Sequence, residues 1–253
     1  MAGPNRFSPA VAAIQSINAV VRSFVRSFSP QGPVLEVGSF YPPGYEDLCD
    51  RRKEFPGAQY VGCDLRNGSG VDRIEDAQRL SFPDNYFGTV ILLEILEHVP
   101  SPESAIAEAL RVLMDGGLLL VSVPFNYRLH GFPHDYRRFT SSGLHTMLEG
   151  FRQKTVVAIG PKMKPATVFA VAAKGQSASF SAGVKRFEAD LRATSKGITR
   201  NLYWAALEQR MRELIGLLLG RAEVSISFYD PSAGGGYAFV PPEEKTGAQQ
   251  GRS

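Results

Sequence analysis

From Pro124 to Thr140 the chain reads Pro124-Phe125-Asn126-Tyr127-Arg128-Leu129-His130-Gly131-Phe132-Pro133-His134-Asp135-Tyr136-Arg137-Arg138-Phe139-Thr140. Two histidines, one acid, two tyrosines and three arginines in so short a stretch exceed what a connector needs. Loops carried by a rigid scaffold are where chemistry concentrates. A histidine titrating near neutrality suits removal of a proton from a hydroxyl. His134, oriented by Asp135, is therefore the candidate base, with His98 and His130 in reserve. His98 lies in the step Glu97-His98-Val99, where a structural brace is the competing role. His130, Tyr136 and Arg137 are candidate substrate contacts. Arg137 and Arg138 face either an acidic substrate group or the acids of a neighbouring helix. A metal held by His130, His134 and Asp135 competes with these roles, but no second set of ligands is recognisable, and no metal is expected.

A second group of residues consists of acids closing apolar runs. Val34-Leu35-Glu36-Val37-Gly38 is a short β-branched run ended by glycine, the pattern of a buried parallel strand turning tightly. Tyr60-Val61-Gly62-Cys63 runs directly into Asp64. An acid at the tip of the second strand of an α/β sheet is placed to hold the two hydroxyls of a ribose. Glu94 lies near the end of the continuous apolar run Val90–Ile95, which fits a strand covered on both faces. These placements point to a nucleoside-containing cofactor. A dinucleotide needs Gly-x-Gly-x-x-Gly, so that the backbone can close on its pyrophosphate. Here the loop is Gly38-Ser39-Phe40-Tyr41-Pro42-Pro43-Gly44, in which Phe40 and two prolines obstruct that approach.

The elements that position these groups alternate. Ser8-Pro9 opens a helix whose apolar stripe is Val11, Ile14, Ile17, Val21, Phe24, Val25 and Phe28. With Arg6, Arg22 and Arg26 and no acid before Glu36, this helix either packs on the sheet or over the cofactor, or is a membrane-surface or organelle-targeting helix. A crossover helix is expected over Gly44–Phe55, strands over Tyr60–Cys63, Val71–Ile74 and Val90–Ile95, and a helix from Ser101-Pro102-Glu103 to Leu113. Leu118–Val123 is the fifth strand, Thr140 or Ser141 caps a helix to about Leu148, and Lys154–Ile159 with Val168–Ala173 make the last strand pair. The fold class is α/β: a doubly wound, mostly parallel seven-stranded sheet with an N-terminal helix and a helical C-terminal extension. The expected division is an N-terminal helix over 1–32, a core over 33–175, an extension over 183–240 and a disordered tail over 241–253. Within the extension, two helices break near Ser195-Lys196-Gly197, and Val224–Tyr229 pairs with Gly236–Val240.

Five stretches in order, VLEVGS (34–39), YVGCDL (60–65), EDAQRLSFPDNYF (75–87), ILLEILEHV (91–99) and GGLLLVSVP (116–124), resemble the class I S-adenosylmethionine-dependent methyltransferases, in particular the small-molecule group termed type 11. The departures are the loss of the later glycines from the family's Gly-x-Gly-x-Gly loop, and Phe87-Gly88 in place of Phe-Asp. The resemblance implies S-adenosyl-L-methionine as cofactor, whose lack of phosphate tolerates side chains in that loop. It also implies that Glu36 orients the methionine end, Gly38 and Ser39 give backbone contacts, and Leu65 packs on the adenine. Asp76 and Ala77 would meet the adenine amino group, and Glu94 would touch the cofactor through its backbone. The implied activity is methyl transfer to a hydroxyl or amine of a small metabolite such as a sugar. A non-catalytic cofactor-binding scaffold and a nicotinamide-dependent oxidoreductase are the competing classes.

Composition narrows the partners. A hydrophobic share of 43% and a charged share of 21% fit an ordinary globular chain. The net charge of +3 neither demands nor excludes nucleic acid, and with no Lys/Arg cluster long enough to suggest a phosphate-tracking groove none is expected. Cys49 and Cys63 stand in no metal or disulfide pattern. No apolar run reaches the ~18 residues of a membrane span, and no secretory signal is recognisable, so the cytoplasm is the expected location. The apolar face of the extension, with Tyr203, Leu207, Met211, Leu214 and Leu218, implies a substrate cover, a homodimer contact or a membrane-surface contact.

Overall fold

The computed structural model describes residues 9–131, 134–161, 163–194, 227–230 and 236–239. Its centre is a seven-stranded sheet of β1 (Val34–Val37), β2 (Tyr60–Asp64), β3 (Arg73–Ile74), β4 (Phe87–Leu93), β5 (Leu113–Pro124), β6 (Gln153–Ile159) and β7 (Thr167–Ala173). The strand order is β3-β2-β1-β4-β5-β7-β6. All neighbours are parallel except that β7 runs antiparallel to both β5 and β6. The order reverses between β1 and β4, so the crevice for ligands in an open α/β sheet falls at their carboxyl ends. The expected fold class holds.

Each face of the sheet buries one layer. Leu35, Val37, Val90, Leu92, Leu119 and Val121 pack beneath α3 (Pro102–Val112) and α4 (Ser141–Met147). Val34, Ile91, Leu93, Leu120, Phe169 and Val171 pack beneath α1 (Pro9–Phe28) and a helix α5 over 180–194. Val20, Val21 and Phe24 of α1 are fully buried there, so its stripe closes the core of this chain. Phe180, Phe187 and Leu191 of α5 join the same layer, and Phe28 meets both Phe180 and Phe187 ring to ring. The boundary expected at residue 183 thus falls inside a core helix. Asn18 ties α1 to the segment below it by donating to the Leu48 carbonyl at 2.7 Å.

Several elements differ from expectation. In place of a helix over Gly44–Phe55 there is a single turn, α2 (Glu46–Cys49), and a 3-10 turn over Arg52–Glu54. The backbone becomes extended at Asp50, whose carboxylate takes the Arg52 N–H, and Arg51 is thereby turned inward. β3 shrinks to Arg73–Ile74 because Asp72 bends away to accept from the Gly62 N–H and from Arg52. β4 and β5 begin earlier than expected, paired through Phe87 and Leu113, since α3 stops at Val112. Thr140 caps α4, accepting from the Gly143 N–H at 3.0 Å. Both cysteines are free and buried. β8 (Ser227–Asp230) pairs antiparallel with β9 (Gly236–Phe239), matching the expected strand pair. The expected second helix of the extension, with Tyr203, Leu207, Met211, Leu214 and Leu218, and the tail over 241–253 lie outside the described residues. No described helix is long and apolar enough to cross a membrane.

Candidate active site

The carboxyl ends of β1, β2 and β4 bring Glu36, Asp64 and Glu94 to one edge of the sheet, as register requires: Val37 lies opposite both Cys63 and Leu92. Asp64 is buried at the tip of β2, and its carboxylate accepts from the Arg66 backbone N–H and side chain, both at 2.9 Å. Arg66 is itself exposed and lies over the Phe40 ring, 4.2 Å from its centroid. Two apolar side chains stand exposed beside Asp64, Leu65 next in sequence and Ile74 across the β2–β3 pair. Ile74 is absent from the expected set, because a two-residue strand leaves no periodic signal.

Glu36 is placed otherwise than expected. It is 1% exposed, and both of its oxygens are taken: Arg51 donates to Oε1 at 2.8 Å and the Tyr60 hydroxyl to Oε2 at 2.8 Å. Burial, then the nearby Glu36 charge, pushes the Tyr60 hydroxyl well above its ordinary range, so it stays a donor. Glu36 therefore anchors Arg51 beneath the sheet edge, and its 1% exposure, not a shortage of acceptor sites, is what sets it apart from a ligand-facing carboxylate. Gly38 and Ser39 follow at positive and buried positions respectively, and both direct their N–H groups to the Cys63 carbonyl. Gly38 has φ +84, and a Cβ there would come within 2.0 Å of the Ile95 side chain. Only glycine lets the loop after β1 lie against the segment after β4.

Glu94 leaves β4 at φ 53, with its N–H donated to the Ser122 carbonyl at 3.1 Å. Its Oε1 is shut off from solvent and has no hydrogen-bond partner. Burial pushes the Glu94 carboxyl up to about 7, against the opposite pull of Ser122, Arg138 and Arg51. Three residues on, Glu97 is wholly buried with both oxygens unpartnered, and burial together with Glu94 raises it well above the carboxylate range. Sequence reading missed Glu97, although the Glu94-x-x-Glu97-His98 spacing carried the signal. On the far side of β2, Asp76 accepts from the Gln78 N–H at 2.8 Å, which is a turn-capping role, and Ala77 is buried next to it.

The loop after β5 folds back over Glu97, with the Tyr136 N–H donated to the Glu97 carbonyl at 2.8 Å. Asp135 does not face His134, as expected; it binds Arg138 through both oxygens and accepts from the His130 N–H at 2.8 Å. Although burial acts to raise it, the Arg138 hydrogen bonds hold Asp135 down at about 2. His134 is exposed, with Nδ1 2.8 Å from the Tyr136 hydroxyl. His98 and His130 lie edge to face, ring centroids 4.7 Å apart. Burial, then the neighbouring His98, lowers the His130 imidazole. Arg137 donates to the Pro100 carbonyl at 2.9 Å, so both arginines of the pair brace the loop. A groove of about 470 Å³ lined by His145, Arg152, Lys154 and Phe180 lies at the start of β6, the opposite edge of the sheet, away from all of these groups.

Residues 51–121 match the family model of a methyltransferase domain. A stretch of 46 residues is 54% identical to a ubiquinone/menaquinone biosynthesis C-methyltransferase of Stutzerimonas stutzeri, spanning 18% of this chain and 18% of that protein. A methyltransferase of Archaeoglobus fulgidus, described as S-adenosylmethionine-dependent, has a TM-score of 0.51 at 15% identity, over 64% of this chain and 94% of its own. A chain from the Haloferax volcanii complex of a methyltransferase with its activator has a TM-score of 0.50 at 13% identity, over 67% of this chain and 93% of its own. At these identities the likeness to solved structures is one of fold, and the resemblance to the class I methyltransferases stands on the domain match.

Proposed function

We propose that this methyltransferase-domain chain moves a methyl group from S-adenosylmethionine to a hydroxyl or amine of a small metabolite. The observation that carries the reading is the buried, unpartnered Oε1 of Glu94 on the same sheet edge as Asp64. The cofactor offers a ribose diol, an adenine ring and two cationic centres, and the residues present fit each. Asp64 takes the diol once Arg66 swings away, since that guanidinium occupies the same carboxylate oxygens. Leu65 and Ile74 give the adenine an apolar face, with the Asp76-Ala77 turn beyond it. Glu94, as a carboxylate, faces the ammonium or sulfonium. Gly38 seats the loop after β1 against Ile95, and the Cys63 carbonyl holds the N–H groups of Gly38 and Ser39.

Bound there, the cofactor supplies an activated methyl group, so the chain chiefly aligns the acceptor and excludes water. A hydroxyl acceptor must also lose its proton as the bond forms. We assign this role to His134, whose Nδ1 lies 2.8 Å from the Tyr136 hydroxyl; in the tautomer with the hydrogen on Nδ1, Nε2 is the basic atom. An amine already neutral in the site needs no such base. The short match to a C-methyltransferase favours a second reading, in which a carbon acceptor is activated in the same way. A homodimer or substrate cover formed by the extension is part of the proposal, and sedimentation of the intact chain tests it.

The test is turnover of labelled S-adenosylmethionine with sugars, phenols, quinols and amines, following S-adenosylhomocysteine by mass spectrometry. Product with a hydroxyl or amine supports the reading, and methylation at carbon supports the second. Tight cofactor binding without product from any acceptor would replace both with a non-catalytic binding protein.

A further inference from the structure

Three side chains, two from the turn after β4 and one from the loop after β5, meet in a way that hydrogen bonding does not explain. His98 Nε2 and His130 Nε2 lie 3.2 Å apart. Each ring turns its Nδ1 to groups that only accept. For His98 this is the His134 carbonyl; for His130 it is the Arg128 carbonyl at 3.3 Å, with the Asp135 carboxylate also at 3.3 Å. Nδ1 therefore carries the hydrogen in both neutral rings, and the two Nε2 atoms present lone pairs to each other. Two lone pairs at that separation repel unless a positive centre lies between them. The third member is Glu97, wholly buried, with neither oxygen hydrogen-bonded. Its Oε1 is 3.7 Å from His98 Nε2 and 3.7 Å from His130 Nε2, too long for a hydrogen bond to either.

A triangle with sides of 3.2, 3.7 and 3.7 Å has its centre about 2.1 Å from each corner, the length of a zinc bond to imidazole nitrogen or carboxylate oxygen. We propose that Glu97, His98 and His130 form a site for a first-row divalent cation of the zinc type. Two imidazoles and one carboxylate suit such an ion better than magnesium or calcium, which prefer oxygen. The Nδ1–H bonds to carbonyl and carboxylate are the outer arrangement that fixes ring orientation around a metal. Asp135, clamped by Arg138, supplies one of them. Gly131 makes the approach possible: it has φ +62, and a Cβ there would fall 2.7 Å from His98 Cε1. A proton shared between the rings would relieve the histidine pair but leave both Glu97 oxygens without a partner, whereas a cation serves all three groups. The two rings are 28% and 30% exposed, so coordination positions remain open to a water or to an acceptor oxygen. That last use rests on the function proposed above; the site itself does not.

The experiment uses the full-length, tag-free protein, stripped with a chelator and dialysed. Zinc chloride is titrated by calorimetry, and cobalt chloride by visible absorption, with bound metal counted by mass spectrometry. One equivalent of zinc is expected, with a visible cobalt spectrum of low-symmetry coordination and a raised melting temperature. His130→Gln and His98→Gln should each weaken zinc binding by about a hundredfold or more, while circular dichroism of the metal-free proteins stays that of the parent. Should a single variant unfold, the cobalt spectrum of the parent alone still decides. A parent that binds no zinc and gives no visible cobalt band, or one whose binding survives in a folded His98→Gln/His130→Gln protein, overturns the proposal. Neither result bears on cofactor binding, which is measured separately on the metal-free protein.

Discussion

Replacing Arg51 with methionine removes the cation that faces Glu36 while keeping most of the apolar stem. Arg51 and Glu36 are 8% and 1% exposed, and their 2.8 Å bond leaves only the Tyr60 hydroxyl on the carboxylate once the guanidinium is gone. Stranding one charge of a buried pair costs about 3–5 kcal/mol. In a domain of this size that lowers the melting temperature by roughly 10 °C. Glu36→Gln strands the guanidinium instead and should cost a comparable amount. In the double variant Glu36→Gln/Arg51→Met no buried charge remains, so its loss should fall short of the summed single losses by about 2 kcal/mol or more. Urea unfolding followed by circular dichroism on the four proteins measures this coupling. The double variant should also bind S-adenosylmethionine within about threefold of the parent, because a side chain only 1% exposed and held by Arg51 and Tyr60 does not face the ligand. Additive single losses, or a double variant that folds but no longer binds cofactor, would refute the assignment of Glu36 to the scaffold.

Other expectations follow from the same edge of the sheet. Protonated Glu94 offers a cationic cofactor no charge, so affinity should rise with pH by up to about tenfold per unit below 7 and level off above it. The raised carboxyl means that the folded protein holds this proton more tightly than the unfolded chain, so the free protein should lose stability as pH climbs from 4.5 to about 7. Glu94→Gln should flatten both profiles, as calorimetric titrations and urea curves at a series of pH values will show. Arg66→Ala frees the Asp64 oxygens and should tighten cofactor binding several-fold; weaker binding would mean that Arg66 holds the cofactor rather than competing with it. His134→Gln should lower kcat strongly on a hydroxyl acceptor and leave cofactor affinity nearly unchanged, and parent-like kcat would remove His134 as base.

The strands were legible because buried parallel strands are written in unbroken apolar runs, and Asp64 because it closes such a run. The cap of α4, narrowed to Thr140 or Ser141, and the apolar stripe of α1 were legible from local pattern, while which residue caps and what the stripe packs against were decided by the fold. Arg51 was not. In the sequence it sits inside a plausible crossover helix, and only the backbone turn at Asp50 aims it at Glu36, 15 residues earlier. Glu36, expected to orient the methionine end, is found paired with Arg51. The pairing of Asp135 with Arg138 and His130, instead of His134, depends on how the loop folds over Glu97, and neighbouring positions in a loop carry no periodicity from which to read facing. Glu97 was overlooked because an acid beside a histidine at a turn reads as solvated until its burial is known. The expected core ended at residue 175 and the extension began at 183, whereas Phe180, Phe187 and Leu191 pack the helix over 180–194 into the same layer as α1, a long-range contact that local composition does not encode.

Calorimetric titration of S-adenosylmethionine into the parent and into Asp64→Ala, with NAD as the control ligand, tests the central claim most directly. One saturable site for S-adenosylmethionine and none for NAD is expected in the parent. Loss of the charge-assisted bonds of Asp64, worth about 1.5–3 kcal/mol, should weaken it ten- to a hundredfold in the variant. A parent that binds NAD in place of S-adenosylmethionine, or a folded Asp64→Ala protein with unchanged affinity, would contradict the account.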